Sequence, residues 1–263
     1  MTKVLSWVSG LLLVVLICLC TSCGNESYEV ATPTTTSATE DIAHAQQLYG
    51  QRDDLMHLRE GIVSLRQART KDPGNYDAAW QLAKFNYYLA THTDDTSERD
   101  KAFREGIDAG KAAVQLQNEK PDGHFWLGAN YGGAAQHSTI QGLATVSEIK
   151  SEMETVLRLN EGYQDGSAYM VLGLVYLNAP SLAGGDPKKA VELMEKGLRF
   201  GEPNAFLHLH LAEAYLKVGR TEDARKQLNS ILSMTPDQNY LPEHKEASTA
   251  ARKLLDQADQ AGR

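Results

Sequence analysis

Three short stretches decide the fold: Leu127-Gly128-Ala129-Asn130-Tyr131, Leu172-Gly173-Leu174-Val175-Tyr176 and Leu211-Ala212-Glu213-Ala214-Tyr215. Each places a large apolar residue, a small one beside it and an aromatic three positions later. That arrangement suits a helix wedged between two others. The leucine packs between neighbours, the glycine or alanine lets a partner backbone approach, and the tyrosine fills the next turn. Recurrence of one such pattern along a chain is the signature of a repeat architecture.

Working outward, each copy is followed by a second pattern, a small residue and then a large one four positions later. Ala224, Leu228 and Pro236 follow Leu211 at the spacing of an uninterrupted unit, while Ala190 and Met194 follow Leu172 after a short insertion. Near the start, Leu48, Gly61, Leu65, Ala68 and Pro73 fit an uninterrupted unit again. Trp80 to Tyr88 reads as another first helix, its register open by one residue, with a partner from about Ser97 to Gln117. These units resemble the tetratricopeptide repeat (TPR) family, whose repeat is about 34 residues long. The expectation is an all-α, TPR-like helical-hairpin solenoid of about five pairs, 41–74, 75–119, 121–165, 166–203 and 204–237. A last amphipathic helix, about 242–260, would cap the open end, as solenoids require. No stretch alternates as a half-buried strand would.

Two segments exceed the repeat length. One lies around Gly132 to Gly142; the other runs Asn178-Ala-Pro-Ser-Leu-Ala-Gly-Gly-Asp186-Pro187. In the second, Asp186 is placed as an N-cap and Pro187 as the first helical residue, with Gly184 and Gly185 turning the chain.

Ahead of the repeats, Lys3 precedes an apolar run from Val8 to Leu19 that is too short to favour a spanning helix. Thr21-Ser22-Cys23 follows it and resembles a bacterial lipobox, although Cys20 stands where that motif usually has leucine. Residues 1–22 are therefore expected to be a signal peptide and Cys23 the lipid attachment point. Cys18 and Cys20 would leave with the signal, so no disulfide is expected. The Ser/Thr-rich stretch 23–40 reads as a flexible linker, and 41–263 as the solenoid domain.

The chain carries a formal charge of −8, which argues against nucleic acid as a partner, because phosphate binding needs a basic footprint. No metal or cofactor is expected. His208 and His210 are two apart and so face different ways on a helix, whereas helical metal pairs want i, i+4 spacing. His124 and His208 share one repeat position and are expected to be structural. The Gly-rich stretches lack the lysine of a phosphate loop, and no catalytic set emerges, so the chain is not expected to be an enzyme.

Binding is the remaining role. In repeats of this type the first helices line the inner surface. Their inward positions are Phe125, Ala129 and Gly132, then Met170, Leu174 and Leu177, then Phe206, Leu209, Glu213 and Leu216. The second pair adds Phe85 and Tyr88, or Trp80 and Tyr87 in the other register. So apolar a lining is either an exposed binding patch or a core buried by tight coiling. Phe85, Tyr88, Phe125, Ala129, Met170, Leu174, Leu177, Phe206, Leu209 and Leu216 are the candidate ligand- or partner-binding residues.

A narrower resemblance rests on His124-Phe-Trp126-Leu-Gly128, Leu172-Gly173, Tyr176, Pro180, Gly184-Gly185-Asp186 and Lys189-Ala190. Over about residues 120–204 the chain is similar to the periplasmic T-component lipoproteins of TRAP transporters. The resemblance implies a lipid-anchored accessory protein of solute uptake, in the outer membrane facing the periplasm. It also implies association with a substrate-binding protein, and a homo-oligomer whose apolar pore would pass a hydrophobic small molecule. The alternative is a general TPR scaffold for protein partners in envelope biogenesis.

Overall fold

The structure, a computed structural model, describes residues 36–137 and 145–261; Cys23, the signal and most of the linker lie outside them. Eleven α-helices are described: α1 (Ala38–Tyr49), α2 (Leu55–Lys71), α3 (Tyr76–His92), α4 (Thr96–Leu116), α5 (Pro121–Gln136), α6 (Val146–Leu159), α7 (Tyr163–Asn178), α8 (Pro187–Gly197), α9 (Ala205–Lys217), α10 (Thr221–Ser233) and α11 (Leu241–Ala261). They form five hairpins and a last single helix, an all-α TPR-like solenoid as the spacing predicted, with no strand among the described residues.

Local chemistry sets the helix ends. Ser37 caps α1 in a reciprocal capping box with Glu40, and this draws residues 38–40, expected in the linker, into the first helix. Asp54, Asn75, Asp95 and Asn204 cap α2, α3, α4 and α9 with side-chain oxygens. Asp186 accepts from the amides of Lys188 and Lys189 at 3.0 and 3.1 Å, with Pro187 at the first helical position of α8. Such a cap is worth about 1 kcal/mol. Just before it Gly184 is left-handed (φ +85), and a Cβ on Gly185 would lie 1.8 Å from the Ala179 carbonyl oxygen. That insertion is thereby accounted for as a turn and a helix start. Of the other, 138–144 lies outside the described residues. α7 contains a break at 164–166, where all three residues are left-handed, so its regular part begins at Ser167.

The core runs along the hairpins in two large clusters, one from Ile42 to Leu193 and one from Ala190 to Ala251. Leu172 and Leu211 of the repeated pattern sit within them, as do Ala190, Met194, Ala224 and Leu228 of the second helices, and Leu127 is likewise buried. Asn130, fully buried, ties three helices together. Its amide donates to the carbonyls of Ala83 on α3 (3.0 Å) and Trp126 (2.7 Å), while its side chain fills the space left by Gly106 on α4. Outside, Arg59 and Arg66 of α2 make forked pairs with Glu98 and Glu105 of α4. Exposed pairs of this kind add at most about 1 kcal/mol each.

The end of the chain returns to its beginning. Arg52, in the α1–α2 turn, is 3% exposed and grips Glu243 of α11 through Nε (2.8 Å) and Nη2 (2.5 Å). Nη2 also donates to the Asn239 carbonyl, and the guanidinium lies over the rings of Tyr49 (4.6 Å) and Tyr88 (5.6 Å). Beside it His92 faces Glu246 at 3.5 Å. Burial works against the charged imidazole, but the bonds to Glu246 and to the Tyr88 carbonyl outweigh it and raise the pKa above the ordinary value. The capping helix therefore does more than cover the last hairpin; side chains at its start tie it to the α1–α2 turn and to the end of α3.

Candidate functional site

The inner face of the solenoid is that of the first helices of the hairpins, α3, α5, α7 and α9 among them. On α3 the phase is settled by packing. The Phe85 ring lies over Gly61 of α2, where an added Cβ would come within 2.6 Å of it, and 4.8 Å from the ring of Tyr49. Phe85 (1% exposed) and Tyr88 (7%) are thus core and not lining, a correction to the first of the two registers. The partly exposed face of α3 carries Trp80, Lys84 and Tyr87, the i, i+4, i+7 stripe of the other register. Lys84 was missed by the sequence reading. The signal for it is Leu82-Ala83-x-x-Asn86, which aligns with Leu127-Gly128-x-x-Tyr131 and puts Lys84 at the position of Ala129, Leu174 and Glu213.

On α5, Phe125 (6%) and Ala129 (5%) occupy the expected inward positions but are sealed by their neighbours, Phe125 by Trp126 and Tyr163 at 5.0 and 5.3 Å. Leu209 of α9 is likewise buried at 4%. Met170, Leu174 and Leu177 of α7 and Phe206 and Leu216 of α9 remain partly exposed, packed against the second core cluster. Of the ten candidates, five are core and five stay accessible.

The histidines are structural in their contacts. His124 Nδ1 bonds Glu152 at 2.5 Å and Nε2 the Asn118 carbonyl at 2.9 Å. His208 repeats the scheme with Gln227 (2.7 Å) and the Glu202 carbonyl (2.8 Å). In each case the imidazole pins the preceding turn to the following second helix. Among the described residues no group of three His, Cys, Asp or Glu could hold a metal, and no helix is long and apolar enough to cross a membrane.

A solenoid of helical hairpins with a partly exposed apolar strip on its first helices defines the TPR-type class of helical-repeat proteins. The model of the family TAtT, TRAP transporter T-component, matches residues 81–261, and the chain belongs to that family. Among solved structures it is similar to a thermophilic TPR protein of Thermus thermophilus (20% identity, TM-score 0.60, 80% of this chain and 98% of that one). It is also similar to PilF of Pseudomonas aeruginosa (17%, TM-score 0.54, 86% and 99%). Both likenesses are of fold. A curated relative, regulator of microtubule dynamics protein 3 of Rattus norvegicus, is 23% identical over 228 residues, 76% of this chain and 48% of that protein. The chain spans about half the length of this relative. Family and fold make it a TPR-type helical-repeat protein of the TRAP transporter T-component family.

Proposed function

We propose that the chain is an envelope-anchored accessory component of TRAP-type uptake that holds an apolar ligand on the open part of its inner face. One observation carries the reading: Met170, Leu174, Leu177, Phe206 and Leu216 lie partly exposed on adjacent inner helices, where a merely solvated surface would carry polar groups.

Leu174→Glu tests it. Its carboxylate can reach water from a half-exposed site, so the variant should fold with a melting temperature within a few degrees of the parent. Affinity for an environment-sensitive apolar dye should fall about tenfold or more. A stable parent that takes up neither dye nor lipid sinks the reading, and so does a variant that cannot fold, because the strip would then be core.

Anchoring through Cys23 belongs to the same proposal. Each buried acyl methylene adds about 0.8 kcal/mol, so two or more chains hold a protein firmly on a bilayer. Cys23→Ser should move the protein from the membrane to the soluble fraction. Sedimentation with membranes together with continued palmitate labelling would overturn this part.

A further inference from the structure

His124 and His208 stand at the same position of their repeats and make matching contacts, but the partner of Nδ1 differs between them. Nε2 of His124 meets the Asn118 carbonyl at 2.9 Å, and Nε2 of His208 meets the Glu202 carbonyl at 2.8 Å. A carbonyl only accepts, so each Nε2 carries a hydrogen. Nδ1 of His208 faces the side-chain amide of Gln227, which can turn its NH2 towards the ring and donate. A neutral imidazole thus satisfies both contacts there. Nδ1 of His124 faces Glu152 at 2.5 Å, and an ionised carboxylate has nothing to donate. A bare Nδ1 would set two lone pairs against each other. The contact closes only when the pair holds one additional proton, as imidazolium beside carboxylate.

Burial makes that proton matter. The His124 side chain is 6% exposed and that of Glu152 20%, so water does little to relieve an unmet contact. Glu152 lies in the seam between α5 and α6, where a Cβ on Gly128 would come 3.2 Å from the Glu152 Cβ and 2.4 Å from Met153 Cε. Other charges around the ring are few. Arg158, also on α6, opposes the protonated form, while Glu119 and Lys120 of the α4–α5 turn are exposed. Asp122, two residues ahead on α5, accepts from the hydroxyls of Tyr76 and Tyr163. Burial disfavours the charged ring, but the bonds to Glu152 and the Asn118 carbonyl outweigh it and raise the His124 pKa above its ordinary value.

We propose that His124 and Glu152 form a proton-held fastener that ties α6 to the turn ahead of α5, tight in mild acid and released as the medium turns alkaline. The sign follows from linkage. A histidine held more basic in the folded state stabilises it in full below its unfolded value, about 6.5, and that effect is lost as pH rises through the folded value. On release α6 keeps its buried Ile149, Met153 and Val156, so the change is a local loosening of the third hairpin.

Glu152→Gln tests this, because it rebuilds at His124 the pair already present at His208. Melting temperatures of parent and variant are compared at about pH 5.5 and about pH 8.5, on either side of the histidine range. Every other titrating group, His92 opposite Glu246 included, is common to both proteins. The parent's margin over the variant should be about 2–4 °C larger at the lower pH. The ring of His124, followed by NMR, should titrate at lower pH in Glu152→Gln than in the parent. Gln227→Glu should carry the same acid-dependent gain to α9 and α10. An equal margin at both pH values, a margin that grows with pH, or an unmoved titration overturns the proposal. If Glu152→Gln does not fold, the parent's own titration decides. A midpoint for His124 at or below that of an unstructured histidine means that no proton is held, and overturns it as well.

Discussion

Phe85→Ala should lower the unfolding free energy by about 3–5 kcal/mol, the usual cost of removing a large buried aromatic and leaving its cavity. The magnitude follows from position. At 1% exposure Phe85 is among the largest fully buried side chains, lies over Gly61 of α2 and touches the Tyr49 ring, so α1, α2 and α3 all lose contacts together. Denaturant unfolding followed by circular dichroism reads the effect as a lower midpoint at unchanged slope. Leu174→Glu, on the partly open part of the same inner surface, should differ sharply. Were Phe85 an accessible lining residue, its truncation would cost well under about 1 kcal/mol and show up in ligand binding instead. That outcome would reverse the division of the inner face into core and strip.

Arg52→Ala should be comparably severe, at about 3–5 kcal/mol, because removing one partner of a buried pair leaves the other without compensation. The guanidinium is 3% exposed and satisfies both oxygens of Glu243 and two backbone carbonyls, at Asn239 and Tyr49, while covering two aromatic rings. Glu243 itself is 20% exposed, so some of its charge can be rehydrated in the variant, which puts the expectation at the lower end. A double-mutant cycle with Glu243→Gln separates pairing from packing. Small-angle scattering should also report a larger radius of gyration for Arg52→Ala, as α11 leaves the α1–α2 turn. An unchanged radius and melting temperature would show that the hairpins hold their curvature without the contact.

The hairpins were legible in the sequence because helix–helix contact demands small residues at fixed spacing. Ala190, Ala224, Gly128 and Gly173 could be placed before any coordinates. Caps were legible for a similar reason, since Asp186 before Pro187 has a local purpose. Ser37 and Glu40 carried an equally plain signal, which the Ser/Thr-rich composition around them obscured. The inner face was only half legible. α3 has aromatics at 76, 80, 85, 87 and 88, so more than one phase of a 3.6-residue period presents rings inward. What settles the phase is Gly61 on another helix, making room for Phe85. Lys84 follows from that phase, which the alignment of Leu82-Ala83 with Leu127-Gly128 also carries. The Arg52–Glu243 contact had no signal at all, because its partners are 191 residues apart and belong to no shared repeat.

That last contact alters how the molecule should come apart. An open stack of repeats behaves almost as a one-dimensional chain, in which terminal units fray and each unit's stability adds to those of its neighbours. With the first turn tied to the last helix, neither terminus is free to fray alone. Releasing one hairpin strains the closure at Arg52, and losing the closure exposes both ends together. Unfolding should then approach a single all-or-none transition. Folding acquires a late step of high sequence separation, in which nearly the whole chain must be curved before its ends can meet.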